Sequence, residues 1–271
     1  MIVKIINKGD DKMGKKIDRT GEKGINNFGS EMIIVKYRTS NDIDVYFPEY
    51  DWIAKGVQYG HFKRGKIKCL YDKIIYKIGY LGEGKYKVWE NGKTTKVYST
   101  WYSMLNRCYS DKYHKRHTTY INCEVSEDWH NFQNFGKWYD ENYYEVNGER
   151  MCLDKDILVK HNKIYSPDAC VFVPERINLL FTKNDKDRGD SVIGTSSLKN
   201  GKYRVYCNLI NPETGKSKYK HLGCYDTQEK AFEVYKYYKE RNIKEVADYF
   251  KEQIPKKLYQ ALYNYEVEID D

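Results

Sequence analysis

The clearest alternation of apolar and polar positions lies near the C-terminus. Between residues 202 and 209, Tyr203, Val205, Cys207 and Leu209 fall on one side and Arg204, Tyr206 and Asn208 on the other. A period of two places these sets on opposite faces of a β-strand. Asn211, Pro212 and Gly215 mark a turn, and residues 216–223 form the return strand. Asp226 is then read as a helix N-cap, with Glu229 completing a capping box. Ala231, Val234, Tyr235 and Tyr238 recur at i, i+3, i+4 and i+7, so one helix face packs on the sheet. The pattern predicts a three-stranded antiparallel sheet with one amphipathic helix behind it. Such a sheet leaves its other face in water, and that face carries Arg204, Tyr206, Asn208, Tyr219 and His221.

Upstream the pattern is less regular. Residues 1–26 are polar and are read as a flexible segment with a short strand at residues 2–6. Residues 32–37 and 43–47 read as strands, and residues 62–67 as a third that carries a turn glycine, Gly65. Short strands separated by Gly, Asn and Asp predict a small β-barrel over 27–84, closed off by Gly79, Gly82 and Gly84. In the module 85–183, Trp101, Met104, Leu105 and Cys108 recur at helical spacing, and Trp129, Phe132, Phe135 and Trp138 form a second stripe. Both stripes are read as core. A strand at 150–153, a loop at 157–165, a strand at 170–173 and a short helix at 175–181 give the order strand, loop, strand, helix. Residues 184–190 are charged and hold no apolar side chain, which puts a boundary before the C-terminal domain 191–271 and its helical tail. The expected class is α+β.

Composition adds a modest push toward an anionic partner. Of 271 residues, 47 are Lys or Arg against 39 Asp or Glu, a formal net charge of +8. That excess suits a nucleic-acid binder without demanding one. The 28 tyrosines accompany many Lys, Asn and Ile, as an AT-rich coding sequence would give. No apolar run approaches the ~18 residues of a membrane span, and no signal peptide is visible, so a cytoplasmic protein without a membrane partner is expected. Seven cysteines stand without a Cys-x-x-Cys pair, which speaks against a disulfide framework. Cys108, Cys123, Cys152 and Cys170 are the set from which a zinc site would be drawn; isolated cysteines are more simply core residues. The outer sheet face, ringed by Lys199, Lys202, Lys216, Lys218 and Lys220, points to double-stranded DNA, with cations on phosphates and the strand side chains in a major groove.

Gly194, the run from Gly201 through Tyr206, the strand end His221, Leu222, Gly223, Cys224 and Tyr225, and the helix start Thr227, Glu229 and Ala231 resemble the Apetala-two (ethylene-response-factor) DNA-binding domain over about sixty residues. The resemblance implies that Arg204, Tyr206, Asn208, Tyr219 and His221 touch DNA. Ser196 and Leu198 stand where plant members carry arginines, and His221 stands for a tryptophan, so sequence specificity does not carry over.

Trp101, Met104, Arg107, Cys108 and Tyr109, then Tyr120 to Cys123, Trp129 and Phe132, then Leu153 to Asp156 and Tyr165 to Pro174 resemble phage and prophage proteins related to HNH homing endonucleases, over about eighty-five residues. Asn27 to Ser30, Met32 and residues 62–67 are similar to the front part of the same proteins. The resemblance implies a ββα nuclease module in a bacterial host, with Asp154 and Asn178 as magnesium ligands. Lys155 stands at the usual histidine position and Ala169 at the loop asparagine. A lysine of ordinary pKa, about 10.4, is a poor base at neutral pH, so Lys155 is left as an electrostatic clamp or a phosphate contact. The module is therefore read as degenerate, in a DNA-binding protein of homing-endonuclease ancestry. An active magnesium-dependent endonuclease is the alternative, and a phage regulator or inhibitor acting on a host protein is the third reading. A protein partner is left open.

Overall fold

A computed structural model of the chain describes residues 17–182 and 191–269. The protein is mixed α+β and divides into two compact units, residues 1–83 and 84–271. Among the described residues no helix is long and apolar enough to cross a membrane.

In the first unit, β1 (Lys23–Ile25), β2 (Glu31–Thr39), β3 (Asp42–Phe47) and β4 (Trp52–Val57) make an antiparallel meander in sequence order. The alternation in β2 and β3 buries Met32, Ile34, Ile43, Val45 and Phe47. The sheet is open, with β1 and β4 at its edges, and does not close into the expected barrel. Part of the segment read as flexible is therefore ordered: Lys23 to Ile25 pair with Ile33 to Glu31. The strand at residues 2–6 lies outside the described residues. Residues 62–67 are not a strand. Phe62 sits in the helical turn α1 (Tyr59–Lys63), which ends before Gly65 at a φ of 64°. A Cβ on Gly65 would fall 2.7 Å from the Asn27 side chain, so close approach as well as the positive φ demands glycine there.

The second unit begins with a two-stranded ribbon, β5 (Trp89–Glu90) and β6 (Lys93–Thr94), followed by α2 (Lys96–Tyr109), α3 (Asp111–His114) and α4 (Phe132–Asn142). The two aromatic stripes form a core, as expected: Trp101, Trp129, Phe132 and Phe135 are buried, and Trp101 Nε1 donates to the Trp129 carbonyl at 2.6 Å. Trp129 lies in a 3-10 turn, however, and α4 starts after Asn131, whose side chain accepts from the Gln133 N–H. A short parallel pair, β7 (Glu124–Val125) with β9 (Ile164–Tyr165), joins this region to the hairpin of β8 (Met151–Asp154) and β10 (Val171–Pro174). The helix α5 (Glu175–Leu180) follows directly, giving the predicted strand, loop, strand, helix order.

The last part is the three-stranded antiparallel sheet β11 (Thr195–Ser197), β12 (Tyr203–Ile210) and β13 (Ser217–Tyr225), backed by α6 (Gln228–Phe250) and followed by α7 (Lys256–Tyr263). The N-cap of α6 is Thr227, accepting from the Lys230 N–H, one residue after the expected Asp226; Asp226 instead pairs with Lys202 at 2.9 Å. At 23 residues α6 is much longer than the sheet needs. Its first half buries Ala231 and Tyr235 against Val205 and Cys207. Its second half buries Ile243, Val246, Ala247 and Phe250 in a different core, with Val171, Val173, Ile177 and Leu180 of the hairpin and α5. The charged stretch read as a boundary, 184–190, lies outside the described residues, but the elements on either side of it share this core.

Asn242 marks the changeover on α6. Its Nδ2 donates to the Ile210 carbonyl and its Oδ1 accepts from the Ile210 N–H, both at 2.8 Å, so a buried amide completes the end of β12 as another strand would. Asn242→Leu strands both backbone groups in an apolar site, and each buried unsatisfied group costs about 1–3 kcal/mol. Urea denaturation should show a loss of roughly 2–4 kcal/mol.

Candidate nucleic-acid interface

The C-terminal sheet has a covered and an open face. Cross-strand register sets Tyr206 opposite His221, Asn208 opposite Tyr219 and Arg204 opposite Cys224, all on the side away from α6. A bulge at Leu222, between Tyr206 paired with His221 and Val205 paired with Gly223, turns Leu222 inward to the core while His221 stays outside. Tyr219 is 70% exposed and its ring stacks on Tyr206 at 4.8 Å and 15°. His221 lies 5.0 Å from Tyr206 on the facing strand. Arg204 lays its guanidinium over the Tyr206 ring at 5.2 Å, and its Nε–H is buried without a hydrogen-bond partner. The result is a cation, two stacked phenols and an imidazole in one array, with Asn208 beside it.

The lysines divide. Lys199 is exposed in the turn between β11 and β12. Lys202 borders the open face but is held by Asp226. Lys218 and Lys220 pair with Leu209 and Cys207, residues of the helix-facing set, so they project from the opposite side of the sheet. Lys220 Nζ rests 5.2 Å from the Tyr238 ring of α6. The expectation that these two line the same surface as Tyr219 is corrected by strand parity.

The central candidates Asp154, Lys155 and Asn178 do converge. With Arg107, Tyr120, Arg150, Asp156, Tyr165 and Glu175 they line a cavity of about 260 Å³. Asp154 closes β8, and its Oδ1 accepts from the N–H groups of Asp156 and Ile157 at 2.9 and 2.8 Å. Burial, reinforced by Asp156 nearby, pushes its carboxyl up to about 6. Lys155 is buried, and its ammonium donates to Asp156 Oδ2 at 2.8 Å and the Asn162 carbonyl at 3.0 Å. Asn162 also bridges the loop, donating to the carbonyls of Lys155 and Ile164 at 2.7 Å. The bracing asparagine sought at Ala169 is thus Asn162; Ala169 is merely buried. Arg107, Tyr120, Arg150 and Asn162 were not singled out in the sequence as site residues.

These donors do not assemble a divalent-cation centre. Magnesium requires an octahedron of oxygens, whereas Asp154 has one oxygen committed to backbone donors and is held by burial toward its neutral form. Among the described residues no group of three His, Cys, Asp or Glu side chains is placed to hold a metal. The histidines serve elsewhere: Nε2 of His114 and of His130 meets the Arg107 and Val125 carbonyls at 2.8 and 3.0 Å, His117 stacks on Tyr113, and His161 lies 3.3 Å from Glu268. Cys108, Cys123 and Cys170 are buried, and burial pushes the thiols of Cys108 and Cys170 up to about 12, where they pack as apolar groups.

Comparison of the chain with family models, with curated proteins and with solved structures finds no match.

The raised Asp154 pKa fixes a pH dependence. A carboxyl that binds its proton more tightly folded than unfolded favours the fold at low pH, and that contribution fades as pH climbs from about 4 through about 6. Asp154→Asn keeps the acceptor for both N–H groups and removes the charge. In thermal unfolding the variant should gain on wild type as pH rises from 4.5 to 7.5, by on the order of 1–3 kcal/mol.

Proposed function

We propose that this protein binds double-stranded DNA through the open face of its C-terminal sheet, in the cytoplasm of a bacterial host. The observation that carries the reading is the Arg204, Tyr206, Tyr219 and His221 array: polar-tipped aromatic groups and a guanidinium held together on a face with no protein layer over it among the described residues. A two- or three-stranded sheet fits a major groove; arginine and asparagine read base edges there, while tyrosine hydroxyls and lysines meet phosphates. Arg204 arrives with an unspent Nε–H, so binding costs it no existing hydrogen bond from that atom. The strand and helix-start residues that resemble the Apetala-two domain support the same face. The central ββα module, similar to HNH-related phage proteins, is read as a nuclease relative that has lost its chemistry, because Lys155 at the histidine position is buried and tied to Asp156 and Asn162.

Full-length protein should bind a labelled duplex with a steep loss of affinity on adding salt, since counterions are released when phosphates are neutralised. Arg204→Ala should weaken binding by about 1–3 kcal/mol. Tyr219→Ala should weaken it as well, and Lys220→Ala, on the far side of the sheet, should change it least. Fluorescence anisotropy that finds no duplex binding at low salt, or finds Arg204→Ala and Tyr219→Ala equal to wild type, removes the reading. A preference for single strands would reassign the array to base stacking.

One observation favours an endonuclease as the second reading: Asp154, Lys155 and Asn178 share a cavity. Plasmid incubated with the protein and magnesium or manganese separates the two. The degenerate module leaves the plasmid intact; nicking that is lost in Asp154→Asn would establish the enzyme.

A further inference from the structure

The cavity beside Asp154 contains a charge imbalance that the sheet-face reading does not use. Its six charged side chains are three cations, Arg107, Arg150 and Lys155, and three carboxyls, Asp154, Asp156 and Glu175. Two pairs are made: Lys155 with Asp156 at 2.8 Å and Arg150 with Glu175 at 3.5 Å. Arg107 has no carboxylate within ion-pair distance among the described residues, and its Nε–H is buried without a hydrogen-bond partner. A buried cation left this way is costly unless something anionic reaches it.

The surroundings of Arg107 hold it in place without neutralising it. It stands on the last turn of α2, with its guanidinium carbon 5.2 Å from the ring centre of the buried Tyr165 and 5.8 Å from that of Tyr120. Lys155 Nζ approaches the same Tyr165 ring at 5.9 Å. The phenol faces supply a partial negative field and fix two cations around one ring. The ammonium of Lys155 has three N–H donors, of which two are engaged, by Asp156 and the Asn162 carbonyl. Asn178 and the Tyr120 hydroxyl add neutral polar groups to the wall, and Arg150, 77% exposed, stands at the mouth. A volume of about 260 Å³ admits a tetrahedral oxyanion with several waters, each water's share of liquid being roughly 30 Å³.

We propose that this cavity is a phosphate-binding site, with Arg107 as its anchor and Arg150 as its outer contact. The planar guanidinium suits phosphate oxygens in a way a lysine does not, because its N–H groups diverge in a fixed fork. The ligand is a phosphate group, whether inorganic phosphate, a nucleotide or one position of a nucleic-acid backbone. The site is separate from the sheet face and stands independently of it.

Isothermal titration of the full-length protein with inorganic phosphate, at ionic strength matched with chloride, tests this. Wild type should bind one phosphate saturably. Arg107→Gln should lose at least tenfold in affinity, and Arg107→Lys should retain part of it. Arg150→Ala, altering an exposed side chain, should bind several-fold more weakly with an unchanged Tm, and it carries the test if circular dichroism shows Arg107→Gln unfolded. Phosphate no better than chloride in wild type overturns the proposal, as does wild-type affinity in Arg150→Ala together with a folded Arg107→Gln. Phosphate that competes with a short duplex in the Arg204→Ala background identifies a backbone phosphate as the occupant; phosphate indifferent to duplex identifies a free phosphate or nucleotide. Because the sheet face is read through Arg204 and this cavity through Arg107, failure of one leaves the other measurable.

Discussion

The second unit depends on a single rod. At 1.5 Å per residue, the 23 residues of α6 span about 34 Å, and they serve two cores in succession. Ala231 and Tyr235 close the three-stranded sheet, and Ile243, Val246 and Phe250 close the β8–β10 hairpin and α5. Gly194 shows how tightly the first of these is drawn: with φ 74° it lets the chain pass so near Tyr235 that a Cβ would lie 2.0 Å from the ring. Asn242 locks the last residue of β12 onto the helix between the two cores. The sheet face and the hairpin cavity are therefore carried on one piece of secondary structure, and neither sits on a self-contained domain.

Both candidate surfaces are built on the same electrostatic device. An arginine is laid against a phenol, where the ring field holds the cation without cancelling it, and its Nε–H is left without an acceptor. For Arg204 the device faces solvent on a sheet. For Arg107 it faces a cavity whose other charges pair off among themselves. The abundance of tyrosine has this structural use at these two positions, whatever the coding bias behind the count.

Much of the C-terminal fold was legible because its signals are local. The alternation from Tyr203 to Leu209 is strict, and the hairpin turn and amphipathic helix follow within thirty residues. Elements without such periodicity were missed or displaced. β4 escaped notice because only Ala54 of its six residues is buried and Gly56 takes a positive φ, so no alternation shows. Phe62 looked like strand because a large apolar residue before a glycine fits either a strand end or a helical turn. The aromatic stripe at Trp129 repeats every three residues, not every 3.6, and the chain breaks it at Asn131 into a 3-10 turn and a helix. Asp226 and Thr227 are both good caps; the competition was decided by Lys202, which lies far away in sequence. Asp154, Lys155 and Asn178 were found through motif resemblance, and the cavity they share was not. Arg107 follows Met104 and Leu105 on an amphipathic helix and reads as a solvated edge; only the tertiary arrival of Tyr120 and Tyr165 buries its guanidinium.

The bulge that keeps His221 on the open face has a chemical by-product. It sets Cys224 on the same side of β13, exposed, with its Sγ 3.9 Å from His221 Nε2, while Cys69, Cys108, Cys123, Cys170 and Cys207 are buried and Cys152 is partly so. A thiol reagent added to the native protein therefore meets one accessible sulfur, and it lies beside the aromatic array. Alkylation there places a bulky adduct in the middle of the face, and the rate at which it forms reports whether that face is covered.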